Sequence, residues 1–166
     1  MMIRVLIVDG QDEVRRGLRM RLAVEPDMAI IGETGDVEKA LSLARSLGPD
    51  VIVVDIGMRG ADGAKMVKSL RAVAPAASAV VLTLDGDANT RARAQEAGAR
   101  AFLDKHGGSA DLLQTIRRIA PDQLLVKSAA TGPLATRRQN VGQTWNENQT
   151  GASEIQEPAA TALAGR

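Results

Sequence analysis

The 166-residue chain has no cysteine. That excludes disulfides, thiol catalysis and cysteine metal sites, and it is compatible with a reducing cytosol. Charge of one sign is also lacking: 21 Lys and Arg against 20 Asp and Glu leave a formal +1. Bulk electrostatics therefore points to neither a nucleic-acid binder nor an acidic scaffold. No apolar run approaches the roughly 20 residues that span a bilayer. The N-terminus enters a strand pattern at once, without the basic and apolar regions of a signal peptide. These absences lead to the expectation of a soluble, cytoplasmic chain with no membrane association. Aromatics are reduced to Phe102 and Trp145, and histidine to His106. What remains is globular composition, 45% hydrophobic and 25% charged, at a length that suits one domain with a sizeable core.

Apolar periodicity switches repeatedly between short runs and helical spacing. IRVLIV (3–8) reads as a buried strand, and Val14, Leu18 and Leu22 then predict an amphipathic helix over about 12–24. MAIIGE (28–33) is a second strand, followed by a helix stripe of Val37, Ala40, Leu41, Ala44 and Leu47 closed by Gly48-Pro49. VIVVD (51–55) is a third strand, and Met66, Val67, Leu70 and Val73 mark a helix ending near Pro75. AVVLT (79–83) leads into an alanine-rich, poorly apolar helix over about 88–97, and AFL (101–103) is a short fifth strand. Ser109 is the expected N-cap of a last helix carrying Leu112, Leu113, Ile116 and Ile119. Five strand–helix units in about 120 residues predict an α/β fold, a parallel sheet covered by helices on both faces. From 121 to 166 the pattern fails. That segment is rich in polar and small residues, so it is expected to be a mostly disordered tail in which Trp145 is incidental.

Open parallel sheets bind ligands at the carboxyl ends of their strands, beside the point where strand order reverses. For the order 2-1-3-4-5 that point lies between strands one and three. Strand one ends at Asp9, strand three at Asp55 and strand four at Thr83, while Lys105 follows strand five within two residues. Each alone has an ordinary explanation, as a helix cap, a turn closure or a loop lysine. Four at one edge argue for a site.

The constellation resembles the receiver domain of bacterial two-component response regulators. The stretches IRVLIVDGQDEVRRGLRMRL, EPDMAIIGETGD, LGPDVIVVDIGMRGADG, VVLTLDGD and AGARAFLDK are similar to the subgroup that usually carries a LuxR-type DNA-binding domain. The resemblance covers roughly residues 2–120 and implies a flavodoxin-like, doubly wound (βα)5 fold of strand order 2-1-3-4-5, with residues 1–120 as the receiver. It implies phosphoryl transfer from a sensor histidine kinase to an aspartate, with Mg2+, and a signalling domain rather than an enzyme. Carried over by position, Asp55 in VVVDIGM stands as the phosphoacceptor, a carboxylate able to form an acyl phosphate. Lys105 in FLDK pairs with the acceptor or its phosphate, and Thr83 bonds the phosphoryl group. Phe102 takes the aromatic switch position, which a plain core residue would also fill. The metal ligands implied are Asp9, Asp55 and the backbone carbonyl of Gly57. The signalling surface implied is the face of the fourth helix, fifth strand and fifth helix, toward a downstream protein or a second copy.

Three departures stand against that pattern. Gly10 replaces the second of two consecutive acids, normally a direct metal ligand, so Mg2+ binding is expected but weakened. Asp12 is the candidate substitute, although acids that open a helix more often face water or favour its dipole. Arg59 replaces a proline after the acceptor and is expected to face solvent, as is His106. Last, residues 121–166 lack the periodic apolar helices of a helix-turn-helix, so direct DNA binding is not expected. Besides a phosphoacceptor receiver, two readings of this family stay open: an atypical receiver acting as a phosphorylation-independent interaction module, and a truncated LuxR-type regulator. A flavodoxin-like cofactor binder shares the fold, but the acidic first turn DGQDE would repel phosphate.

Overall fold

A computed structural model describes residues 2–84 and 86–121. The expected disordered tail, with Trp145 and the question of DNA binding, lies outside the described residues apart from Pro121. Ten elements alternate: β1 (Ile3–Val8), α1 (Asp12–Leu22), β2 (Met28–Thr34), α2 (Val37–Leu47), β3 (Val51–Asp55), α3 (Gly63–Val73), β4 (Ser78–Thr83), α4 (Ala88–Glu96), β5 (Ala101–Asp104) and α5 (Ser109–Ile119). The five strands form one parallel sheet in the order β2-β1-β3-β4-β5. The α/β architecture and strand order expected from the sequence are both present.

The strands are apolar on both faces because helices cover both. Leu6, Val8, Ile52, Val54, Ala79 and Val81 pack with residues of α2, α3 and α4. The alternate residues Val5, Ile7, Val51, Val53, Val80 and Leu82 pack with Leu22 of α1 and Leu112, Leu113, Ile116 and Ile119 of α5. Full burial of one such side chain stabilises by about 1.5–3 kcal/mol. Between β1 and β2 the register slips, with Val5 opposite Ile30 and Leu6 opposite Gly32. Gly32 stands at this bulge, where a Cβ would lie 3.1 Å from Leu47 Cδ1 and 3.2 Å from Leu6 Cδ1 and would push those leucines aside by a few tenths of an ångström.

Helix caps set the connections. Asp36, Asp62 and Asp87 accept the N–H groups of Lys39, Lys65 and Thr90 at 2.7, 3.2 and 2.6 Å, and so start α2, α3 and α4. Gly48 closes α2 with φ +56. The last cap differs from expectation: Gly108 is the N-cap of α5 and Ser109 is its first residue. Glycine serves that position almost as well as serine because it reaches the extended cap conformation without strain. Helix α1 also stops at Leu22 rather than 24. Pro26 follows too closely for another turn, and the chain must reverse into β2.

Candidate functional site

The carboxyl edge of the sheet brings together Asp9, just after β1, Asp55, the last residue of β3, Thr83, the last of β4, and Lys105, just after β5. Asp9, Asp55 and Thr83 are buried at 1%, 6% and 4% exposure, so their polar groups need partners inside the fold. Lys105 Nζ lies 2.7 Å from Asp9 Oδ2 and 2.9 Å from Asp55 Oδ2, a single ammonium bridging two carboxylates. The remaining carboxylate oxygens face backbone donors. Gln11 N–H donates to Asp9 Oδ1 at 2.9 Å and Gly57 N–H to Asp55 Oδ1 at 2.8 Å. Asp9 Oδ2 accepts no aligned hydrogen bond, and its contact with the ammonium is an ion pair.

Strand register fixes this arrangement. Thr83 pairs with Asp104, and Lys105 N–H donates to the Thr83 carbonyl at 2.8 Å, which delivers the lysine to the site beside the threonine. Burial pulls the Lys105 ammonium down, but its interactions with Asp9 and Asp55 outweigh that and hold it above its ordinary value of 10.5. The lysine is therefore cationic at neutral pH.

Around this centre the sequence-derived candidates separate. Gly57 is exposed next to Asp55. Asp12 is turned away: its carboxylate is 83% exposed and paired with Arg15, one helical turn on. Arg15 also donates to the Asp9 carbonyl at 2.6 Å, with its side chain 17% exposed. Arg15 is missed by apolar periodicity, although its i,i+3 spacing from Asp12 is a signal. Arg59 and His106 are exposed, and the His106 N–H donates to Asp104 Oδ1 at 2.7 Å. Phe102 is buried at 8% exposure, facing α4. Met58, also missed, is buried after β3 and approaches Gly10.

A sheet of order 2-1-3-4-5 with a lysine bridging the acids of β1 and β3 narrows the family. The model of the response regulator receiver domain matches residues 5–117. The chain belongs to the receiver family. Among curated relatives, the transcriptional regulatory protein LiaR of Bacillus subtilis is 33% identical over 86% of this chain and 67% of its own length. The nitrate/nitrite response regulator protein NarL of Escherichia coli K12 is 28% identical over 79% of this chain and 61% of its own. The chain thus spans between about three fifths and two thirds of the length of these relatives, which are LuxR-type response regulators as the motifs suggested. The response regulator domain of Thermotoga maritima CheB superposes with a TM-score of 0.65 at 30% identity, covering 72% of this chain and 97% of that one. Its CheY-like fold is the flavodoxin-like one expected. No helix among the described residues is long and apolar enough to cross a membrane.

The fit of this receiver to Mg2+ follows from its donors. All are hard oxygens, the donor class that Mg2+ takes with one or two carboxylates and waters, and Asp9 Oδ2 and Asp55 Oδ2 face the Lys105 ammonium, the cation present at this edge. The set is small, because Gly10 adds no side chain and Asp12 is engaged by Arg15. Among the described residues no group of three or more His, Asp or Glu side chains is gathered to hold a metal.

Proposed function

We propose that this receiver accepts a phosphoryl group on Asp55 from a sensor histidine kinase or another phosphodonor and signals by changing conformation. The observation that supports this best is the buried ammonium of Lys105 between Asp9 and Asp55, 2.7 and 2.9 Å from their carboxylates. In the transfer, an Asp55 carboxylate oxygen forms a bond to phosphorus while the bond to the donor breaks, the donor leaving with the electron pair. An acyl phosphate results. Charge on the phosphoryl oxygens needs neutralising in a site that excludes most water. Lys105 supplies one positive charge, and Thr83 at the end of β4 supplies a hydroxyl. Asp9, Asp55 and the Gly57 carbonyl would hold Mg2+, which supplies further Lewis-acid neutralisation when bound. Signalling then passes through the face of α4, β5 and α5, to a downstream protein or a second copy. The only chemistry proposed for the chain is its own slow phosphorylation and dephosphorylation.

Gly10 and the Asp12–Arg15 pair favour a second reading, an atypical receiver that works as an interaction module without phosphorylation. One experiment separates the two. Incubation with acetyl phosphate across a magnesium titration, read by intact mass, should give one phosphoryl group per chain, lost in Asp55→Ala. No adduct at high magnesium on a folded protein supports the interaction module. An adduct that survives Asp55→Ala refutes the assignment of the acceptor.

A further inference from the structure

Phe102 sits in β5 opposite Val81 of β4, and its ring has two close neighbours. One is the backbone of Gly86, between β4 and α4. A Cβ at that glycine would lie 2.7 Å from Phe102 Cε1, 3.2 Å from Cζ and 3.2 Å from Thr83 Cγ2. The ring, the connection and the methyl of Thr83 therefore meet in one tight contact, and any side chain at 86 would displace the ring. The other is Arg91 of α4, whose guanidinium carbon lies over the ring, 5.0 Å from its centroid, within cation–π range.

Helix α4 has little else to hold it. Ala94 is its one buried residue, so the usual apolar anchoring of a helix is almost missing. Two guanidiniums supply the ties: Arg93 pairs with Asp62 at the start of α3 at 2.9 Å, and Arg91 stacks on Phe102. We propose that Arg91 is a positioning residue for the switch. Its guanidinium holds the Phe102 ring in the buried position against Gly86 and Thr83, so that α4 and the Thr83 end of the site move together. This deepens the phosphoacceptor reading and rests on it for the link to Asp55.

The test uses the full chain, whose only phenylalanine is Phe102, so fluorophenylalanine incorporation gives a single 19F resonance. Without any phosphodonor, Arg91→Ala and Arg91→Gln should shift that resonance and lower the buried-ring population about two- to fivefold, the range set by a surface cation–π contact. Arg91→Lys, which keeps the cation, should stay near wild type. With acetyl phosphate and magnesium, labelling of Asp55 should slow by a similar factor in the Ala and Gln variants and recover in the Lys variant. An unshifted resonance in both Ala and Gln variants overturns the role of Arg91. A shifted resonance with unchanged labelling overturns its coupling to the site. If the ring shifts but no variant is ever labelled, the phosphoacceptor reading falls and the coupling to Asp55 falls with it, while the hold on the ring stands.

Discussion

Gly10→Asp restores the acid that the first turn lacks, and the structure states what it should do. Gly10 is not among the glycines with left-handed backbone, which are Gly48, Gly60 and Gly98 among the described residues. A Cβ there would meet only Met58 Cγ, at an ordinary 3.7 Å, so neither the backbone nor the first side-chain atom opposes the substitution. An added direct ligand should tighten Mg2+ binding at least about 10–100-fold, the effect typical of metal-site partners. Once magnesium exceeds both dissociation constants, that ratio appears as about 1.4–2.8 kcal/mol of extra stability. For a domain of this size the midpoint of thermal unfolding should rise about 4–12 °C beyond the shift magnesium gives wild type. In metal-free buffer the sign reverses, because a third carboxylate beside Asp9 and Asp55 adds like-charge repulsion. The variant should thus be the less stable protein without magnesium and the more stable one with it. Thermal unfolding of both proteins with chelator and across a magnesium titration measures each limb. Equal magnesium-induced shifts in the two proteins would refute the idea that Gly10 limits the site.

Lys105→Met should lower stability by about 2–3 kcal/mol at neutral pH in urea unfolding, since two buried carboxylates lose their counter-charge. The figure falls below that for a fully severed buried pair because Gln11 and Gly57 N–H groups remain on the carboxylates. The folded-state value of Lys105 is raised, so its contribution is complete below its ordinary 10.5 and is lost as pH climbs through the folded value. The gap between wild type and Lys105→Met should therefore close in alkaline solution, and a gap constant with pH would count against the ion pair. Asp87→Ala removes the cap of α4, whose carboxyl is held below its ordinary 3.8 chiefly by the Thr90 N–H. Amide hydrogen exchange should speed up across α4 while the other helices keep their protection, and wild type should show the same loosening only as pH falls below about 4.

Much of the sheet and its polar edge could be read before any coordinates, for a physical reason. Parallel strands buried on both faces must be continuous apolar runs, so their ends are marked by the first polar residue. Parallel order then puts all those ends on one edge. Asp9, Asp55, Thr83 and Lys105 could thus be gathered from one dimension of information. Element ends were less legible where competing local signals met. The apolar spacing of α1 carries on into Val24, yet the turn before Pro26 stops the helix at Leu22. Gly108 and Ser109 were both able to cap α5, and only the backbone path decides between them.

The side chains that adjust the site were hidden for a different reason. Arg15 and Arg91 act from helices, so their targets depend on helix phase, and phase is read from a buried stripe. Helix α1 has an apolar stripe in Val14, Leu18 and Leu22, half-buried at the first two and buried at the last, which leaves Arg15 beside the Asp9 carbonyl as something inferable in retrospect. Helix α4 has almost none. Its phase is set instead by the Asp87 cap and by two guanidiniums, one on Asp62 and one on Phe102, and none of these is periodic. The same shortage of buried contacts makes a helix hard to place from sequence and cheap to displace once folded. In this receiver the helix about which the sequence says least, α4, is therefore held by one buried alanine and by polar ties that single substitutions remove.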